Sequence, residues 1–433
     1  MEYVGRPHDV TRGRIKEVMV NYFPPLHSAV ESAIDALPYA RFVIFESPGA
    51  EQVREMLDRK LKRLLRSGGA ALYEEFAGKA NNTRELLQFY EALISQKHLL
   101  ELHNLAAGPQ YELLCDFLEV AALYHQWNNR KVYEGRSAGQ LKERFADRVD
   151  LVKVDYLISE FATDVFIPLA KDGEKILTPV RKYMGTGVIG QLKFDNRRQL
   201  ADDIWAKLGY KQAEGPALDG LVGGQIVANG KAVFIGMNAY EEAMTYLDTD
   251  KIDMELCKIT DGLKWHSYRD LHVPREMSIY DHLDVLAMPI SDDSIMLASP
   301  SEAANILRKA RLVTPQDEKL NKPYVQWFLR TRKQMEEQGY NIVPVPFWLT
   351  ESRDGYLYMM TYCNNLQESD TIYVPKRSDN KNPRIAKIGR VLDDRAVDIM
   401  SKHKQVVQVS GFEDDRLWKD AGLRCMASVT HRE

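Results

Sequence analysis

Beyond Val149 the chain alternates short apolar, β-rich runs with amphipathic helical patterns, and that alternation commits it to a layered α/β architecture. The strand-like runs are Leu151–Ile158, Asp164–Leu169, Gln225–Ala228, Ala232–Ile235, Asp284–Met288, Ser294–Leu297, Asn341–Val345, Tyr356–Tyr362, Thr371–Val374 and Val406–Val409. Helical patterns at Arg197–Leu208, Ser301–Ala310, Pro323–Gln338 and Arg395–Lys404 separate several of them. Repeated strand, turn, strand and helix units predict a set of similar modules. The charged stretch Lys376–Arg384 reads as a surface loop.

The first part of the chain opens in the same α/β style, with strands over residues 13–20 and Arg41–Phe45. From about Gln52 to about Phe145 the texture differs. Leu, Ala, Glu, Lys and Tyr dominate and apolar residues recur every three and four positions, as at Leu61, Leu64 and Leu65, then Leu87, Tyr90, Leu93 and Ile94. Such spacing predicts consecutive amphipathic helices. Three segments follow: residues 1–50 and 150–433 as α/β, and 51–149 as a helical insertion between them.

With 433 residues, 45% hydrophobic, the chain can bury a large core. The net charge of -4 gives no basic surplus, so no nucleic-acid partner is expected. No apolar run reaches the length of a membrane span, and no signal-like apolar segment follows Met1, so no membrane is expected either and the expected location is cytoplasmic. The four cysteines, Cys115, Cys257, Cys363 and Cys425, lie far apart with no CxxC pair, which argues against disulfides and against a cysteine zinc site.

Four segments carry chemistry-bearing residues. In Gly422-Leu423-Arg424-Cys425-Met426 the glycine allows a tight turn, and Arg424 could favour the thiolate form of Cys425; a small buried cysteine is the plain alternative. In His282-Leu283-Asp284, read as the start of a strand, the histidine and carboxylate sit two apart and face the same way; a surface turn is the alternative. Glu160–Phe166 places Asp164 at the mouth of an apolar strand. Leu218–Gln225 contains Asp219 and the pair Gly223-Gly224, which could let backbone approach a ligand or simply form a loop or bulge. It is no phosphate loop, since neither GK[ST] nor GxGxxG is present. His266, His272 and His282 lack metal-site spacing, so no metal is expected.

Taken in order along the chain, these segments resemble the guanidino-group-modifying (pentein) superfamily, arginine deiminase in particular. The cysteine end with His431-Arg432-Glu433, His282-Leu283-Asp284, Phe161-Ala162-Thr163-Asp164, the Gly223-Gly224 hairpin and the module over residues 355–374 with Asn364 each match a family motif. The resemblance implies a pentein α/β-propeller of five ββαβ modules with pseudo-fivefold symmetry and a helical-bundle insertion. It implies Cys425 as nucleophile, His282 as acid and base, Asp164 and Asp284 gripping a guanidinium, and Asn364 as a further substrate-binding residue. It implies a small guanidine substrate, no cofactor, and a fold that often forms homo-oligomers. Two departures stand out. Val222 and Gln225 replace the carboxylates of the family's Glu-Gly-Gly-Asp, which leaves Asp219 as the catalytic carboxylate candidate. The arginine that grips a substrate carboxylate is missing after the hairpin, so Arg198 is the substitute considered for that contact. The expected function is a cysteine-dependent deiminase releasing ammonia. The alternatives are an amidinotransferase and a pentein that binds a ligand without turning it over.

Overall fold

Buried apolar strands need cover, and in this chain helices pack against the sheets. The computed structural model describes residues 6–64, 123, 126–127, 130–158, 166–171, 174–179, 199–200, 202–212, 223–236, 244, 247–260, 263–267, 282–351, 357–412 and 422–433. Among these residues the strands make five sheets, and one order recurs in all of them. A first strand pairs antiparallel with a second, and a third runs parallel to the second.

The recurring unit is seen well in Leu366–Gln367, Thr371–Pro375 and Gln405–Val409, where the helix Pro383–Met400 makes the crossover. Ile226–Ala228, Ala232–Ile235 and Lys264–Ser267 repeat it around the helix Thr249–Thr260. Ala287–Pro289, Ser294–Ser299 and Asn341–Glu351 repeat it around two helices, Pro300–Lys309 and Pro315–Glu337. Phe166–Lys171, Glu174–Pro179 and Lys211–Gln212 form the fourth copy. The fifth copy joins distant parts of the chain. Its first strand, Ala427–Arg432, pairs antiparallel with Ile15–Tyr22, which is followed by the helix His27–Ala36 and the parallel strand Arg41–Glu46. That pairing fixes Cys425, two residues before Ala427, at the mouth of a sheet built mainly from the opening of the chain.

The largest core cluster lies between the Ala287–Thr361 sheet and its helices, with Leu297, Val345, Phe347 and Trp348 meeting Tyr324, Trp327 and Leu392. A second cluster packs Val18, Val20, Phe42 and Ile44 against Ala29, Val30 and Ile34, and includes Leu423, Cys425 and Met426. Among the described residues no helix is long and apolar enough to cross a membrane.

Two helices start earlier in the structure than in the sequence reading. The run read as Pro323–Gln338 is the helix Pro315–Glu337, with Pro323 inside it, and Arg395–Lys404 is the end of Pro383–Met400. The physical signal was a capping residue followed by proline. Ser299 accepts from Glu302 N–H, Thr314 from Asp317 N–H and Asn382 from Arg384 N–H, and each precedes a proline whose missing donor costs nothing at that position. The stretch Lys376–Arg384 is also no plain surface loop: Arg377 is buried, and Arg384 pairs with buried Asp317 at 2.8 Å. Of the helical insertion, Ala50–Leu64 and Ala138–Phe145 are helices, while the helices expected over residues 65–122 lie outside the described residues.

Buried Asn321 ties the long helix to its sheet. Its amide donates to the Leu349 carbonyl at 2.8 Å and accepts from Leu349 N–H at 2.9 Å. Asn321→Leu keeps the volume and leaves two buried backbone groups without partners. Chemical denaturation is expected to show a loss of about 2–4 kcal/mol with an unchanged denaturant slope.

Candidate active site

The first strands of the modules are each entered through a tight turn, and it is these turns that carry the site. Gly223–Gln225 is a 3-10 turn before Ile226–Ala228. Leu283–Leu286 is a single helical turn before Ala287–Pro289, and Leu423–Met426 is a single helical turn before Ala427–Arg432. The bend Tyr362–Asn364 precedes Leu366–Gln367. Four entrances to four sheets thus supply one cluster.

The sulfur of Cys425, a ring nitrogen of His282 and a carboxylate oxygen of Asp284 all lie within 4.8 Å of one another. The sequence reading placed His282 and Asp284 on one strand face; the structure corrects this. His282 is the extended N-cap of a helical turn, with φ -96° and ψ 118°, and Asp284 is the second residue of that turn. They meet at Cys425 through the turn. The reading of Gly223-Gly224 as a place of close backbone approach is realised against His282 itself. A Cβ on Gly224 would stand 2.5 Å from Nδ1 of the ring, so only glycine leaves room for the histidine there.

Asn364 holds the cysteine turn from the other side. Its Oδ1 accepts from Arg424 N–H at 2.9 Å and Cys425 N–H at 3.1 Å. Its Nδ2 donates to Cys425 Sγ at 3.1 Å. Leu423 N–H donates to the Asn364 carbonyl at 3.2 Å. A Cβ on Gly422 would fall on the Asn364 side chain, which explains glycine at the start of this turn. The asparagine bend is anchored in turn by Tyr362, whose hydroxyl donates to buried Asp393 at 2.7 Å.

Arg424 turns away from solvent. Its Nη2 donates to the carbonyls of Ile226 at 2.8 Å and Gly223 at 3.3 Å, and its Nε lies 3.7 Å from Asp284 Oδ2. Burial pulls its pKa down, and the negative charge of Asp284 and Cys425 pulls it back up. The guanidinium thereby joins the glycine turn, the histidine turn and the cysteine turn. Beyond it lies a pocket of about 40 Å³, lined by Arg424, Arg432, Gln367 and His8 among others, with room for one or two waters.

The cysteines are not equivalent. Cys363 is fully buried, and burial followed by the charge of Asp284 pushes its thiol up, which keeps it protonated. Cys257 is exposed. Only Cys425 joins a histidine and a carboxylate in the cluster found among the described residues. Of the other residues named from sequence, Asp219, Asp164 and Arg198, together with His272, lie outside the described residues. His266 packs against Phe234 and Tyr340, a packed histidine as expected. The sequence reading did not foresee that Asn364 would contact the sulfur.

His282, Asp284 and Cys425 also make a chemically competent metal-ligand set. Their surroundings favour other chemistry: an N–H donor is aimed at the sulfur and a guanidinium stands beside the carboxylate, so both anionic ligands already face positive partners.

Arg424→Met leaves Asp284, which is 0% exposed, without its neighbouring cation. The expected loss of stability is about 3–5 kcal/mol, and combining it with Asp284→Asn should recover a large part of that loss in a double-mutant cycle by denaturation.

No known protein-family model matches the sequence, and no curated protein matches it. Solved structures do. An agmatine deiminase of C. jejuni aligns with a TM-score of 0.56 and 10% identity, covering 98% of this chain and 95% of that one. A protein titled provisionally as a peptidyl-arginine deiminase aligns at 0.55 with 14% identity, covering 98% of each chain. A provisional arginine deiminase of Porphyromonas gingivalis aligns at 0.50 with 13% identity, covering 96% of each. These matches span several deiminase types without singling out arginine deiminase. At such identities the likeness speaks to architecture, and it agrees with the five sheets described above: the chain has the α/β pentein fold of these solved structures.

Proposed function

We propose that the protein is a cysteine-dependent deiminase of a small guanidine compound. The observation that carries this reading is the meeting of Cys425 Sγ, His282 and Asp284 within 4.8 Å on a pentein fold. The fold's other solved members include enzymes titled as deiminases, and their chemistry needs a nucleophile, a proton carrier and a carboxylate at one point. In this reading the five sheets close into a propeller about a pseudo-fivefold axis. The turns that enter the first strands face the substrate, and residues 51–149 stand as an insertion in that ring.

A guanidinium is planar, delocalised and a poor electrophile, so it must be held and polarised before attack. Asp284 supplies one carboxylate for its N–H groups. Asp164, two residues ahead of the strand Phe166–Lys171, is the proposed second, and Asp219 the proposed partner of His282 in place of the family glutamate. Arg198 is the candidate for an acidic group on the substrate. The Cys425 thiolate adds to the guanidinium carbon, and His282 donates a proton to the departing nitrogen, which leaves as ammonia. The product is a thiouronium bound to the sulfur. His282 then takes a proton from water, the oxygen adds to the same carbon, and the C–S bond breaks to give a ureido product and thiolate. If the substituted nitrogen left as an amine in place of ammonia, and a second amine took the place of that water, the amidino group would be passed between amines and the protein would be an amidinotransferase.

Incubating the protein with arginine, agmatine, guanidinoacetate and methylated or hydroxylated arginines, and measuring ammonia, tests the reading. One compound is expected to release ammonia. Cys425→Ala should reduce release to background while still binding that compound. His282→Ala should lower turnover by about 10²–10⁴-fold, and Asp164→Ala should weaken binding too. Full activity in Cys425→Ala would sink the proposal. Loss of a substrate amine only when a second amine is added would shift it to the transferase.

A further inference from the structure

The attacking sulfur must be a thiolate, yet Cys425 is 4% exposed, and burial by itself favours the neutral thiol. Among the described residues, three charged or titratable groups bear on it from the surrounding turns. His282 and Asp284 stand on the neighbouring turn, and Arg424 stands on its own. Asp284 opposes a negative sulfur, and Arg424 is engaged with Asp284 and with the carbonyls of Gly223 and Ile226. The chain neighbour of Asn364, Cys363, is held protonated. A direct donor to the sulfur therefore raises the share of thiolate that the free protein carries.

We infer that Asn364 is that donor, a catalytic residue whose side-chain N–H stabilises the Cys425 thiolate before any substrate arrives. The inference rests on the reading of Cys425 as nucleophile. Its geometry leaves no freedom in the assignment of the amide. Two backbone N–H groups, those of Arg424 and Cys425, point at one end of the side chain, so that end is the oxygen. The other end is then the NH₂ group, 3.1 Å from Sγ. The amide is also fixed in place. Gly422 packs against it, the Leu423 N–H holds its backbone carbonyl, and Tyr362 on buried Asp393 holds the bend it stands on. A donor preset in this way costs no reorganisation when charge appears on the sulfur. It also makes thiolate formation a property of the free protein, where a substrate cation alone would supply it only after binding.

The test is the rate of Cys425 carbamidomethylation by iodoacetamide as a function of pH, followed by peptide mass so that the other three cysteines are scored separately. Asn364→Asp keeps the oxygen that accepts from both backbone N–H groups and removes the donor. Asn364→Ala removes the donor without adding charge. In both, the midpoint of the pH–rate curve is expected to rise by about one to two pH units, while the limiting rate at high pH stays close to wild type. Asn364→Asp should show the larger rise, because it sets a carboxylate beside the sulfur. A residue that only braced the turn would change the limiting rate or the melting temperature and leave the midpoint in place. Midpoints equal to wild type in both variants overturn the inference. The readout is independent of turnover: if no guanidine releases ammonia, the deiminase reading fails while the midpoints still decide the role of Asn364.

Discussion

The Arg424 guanidinium is the fixed point of the site. It stands between two carbonyls of the glycine turn and the carboxylate of the histidine turn, and its own chain neighbour is the candidate nucleophile. A buried ion pair of this kind contributes little net stability, because desolvation consumes most of the attraction. What it supplies is position. Three turns that enter three different sheets cannot slide past one another without breaking one of these contacts. Asn364 adds the fourth turn by the same means, through two accepted hydrogen bonds and one donated to sulfur.

This arrangement explains which parts of the site could be read from sequence. His282, Asp284 and Cys425 were legible as residue types at strand entrances, and the structure brings them together. The reasoning that placed His282 and Asp284 on one strand face failed, because a four-residue apolar turn and the start of a strand look alike over so short a run. Leu283–Leu286 is a single helical turn with all four residues buried. The contact of Asn364 with Cys425 links positions 61 apart in sequence. Nothing local to an asparagine marks such a contact, although glycine at 422, which admits the side chain, was visible. Gly224 was read as a place of close approach, and what approaches it is a catalytic candidate from another module.

The fold was legible at the level of strand and helix alternation, less so at element boundaries. The helices beginning at Pro315 and Pro383 were placed eight or more residues late, because apolar periodicity was followed and the capping residue with its proline was not. Thr314 and Asn382 carry the information locally, as side chains that accept from the first turn. The joining of Ala427–Arg432 to Ile15–Tyr22 had no local signal at all. In the modular order Ala427–Arg432 takes the place of a first strand and Ile15–Tyr22 that of a second.

The same ion pair bears on what the proposed site can bind. A cationic guanidine entering beside Asp284 meets a carboxylate already shared with an internal guanidinium 3.7 Å away. Its attraction for a second cation is correspondingly reduced, since the charge offered is divided between two partners. Asp284 is then suited to orient N–H groups more than to neutralise the whole charge of a substrate. The balance must come from carboxylates elsewhere, and in this chain the Glu-Gly-Gly-Asp carboxylates of the resembled family are Val222 and Gln225. Asp164 and Asp219 therefore carry more of the burden in the proposed enzyme than their counterparts would in a site with those carboxylates intact. A substrate bearing a full guanidinium needs at least one of them, and a substrate of lower charge could bind with neither.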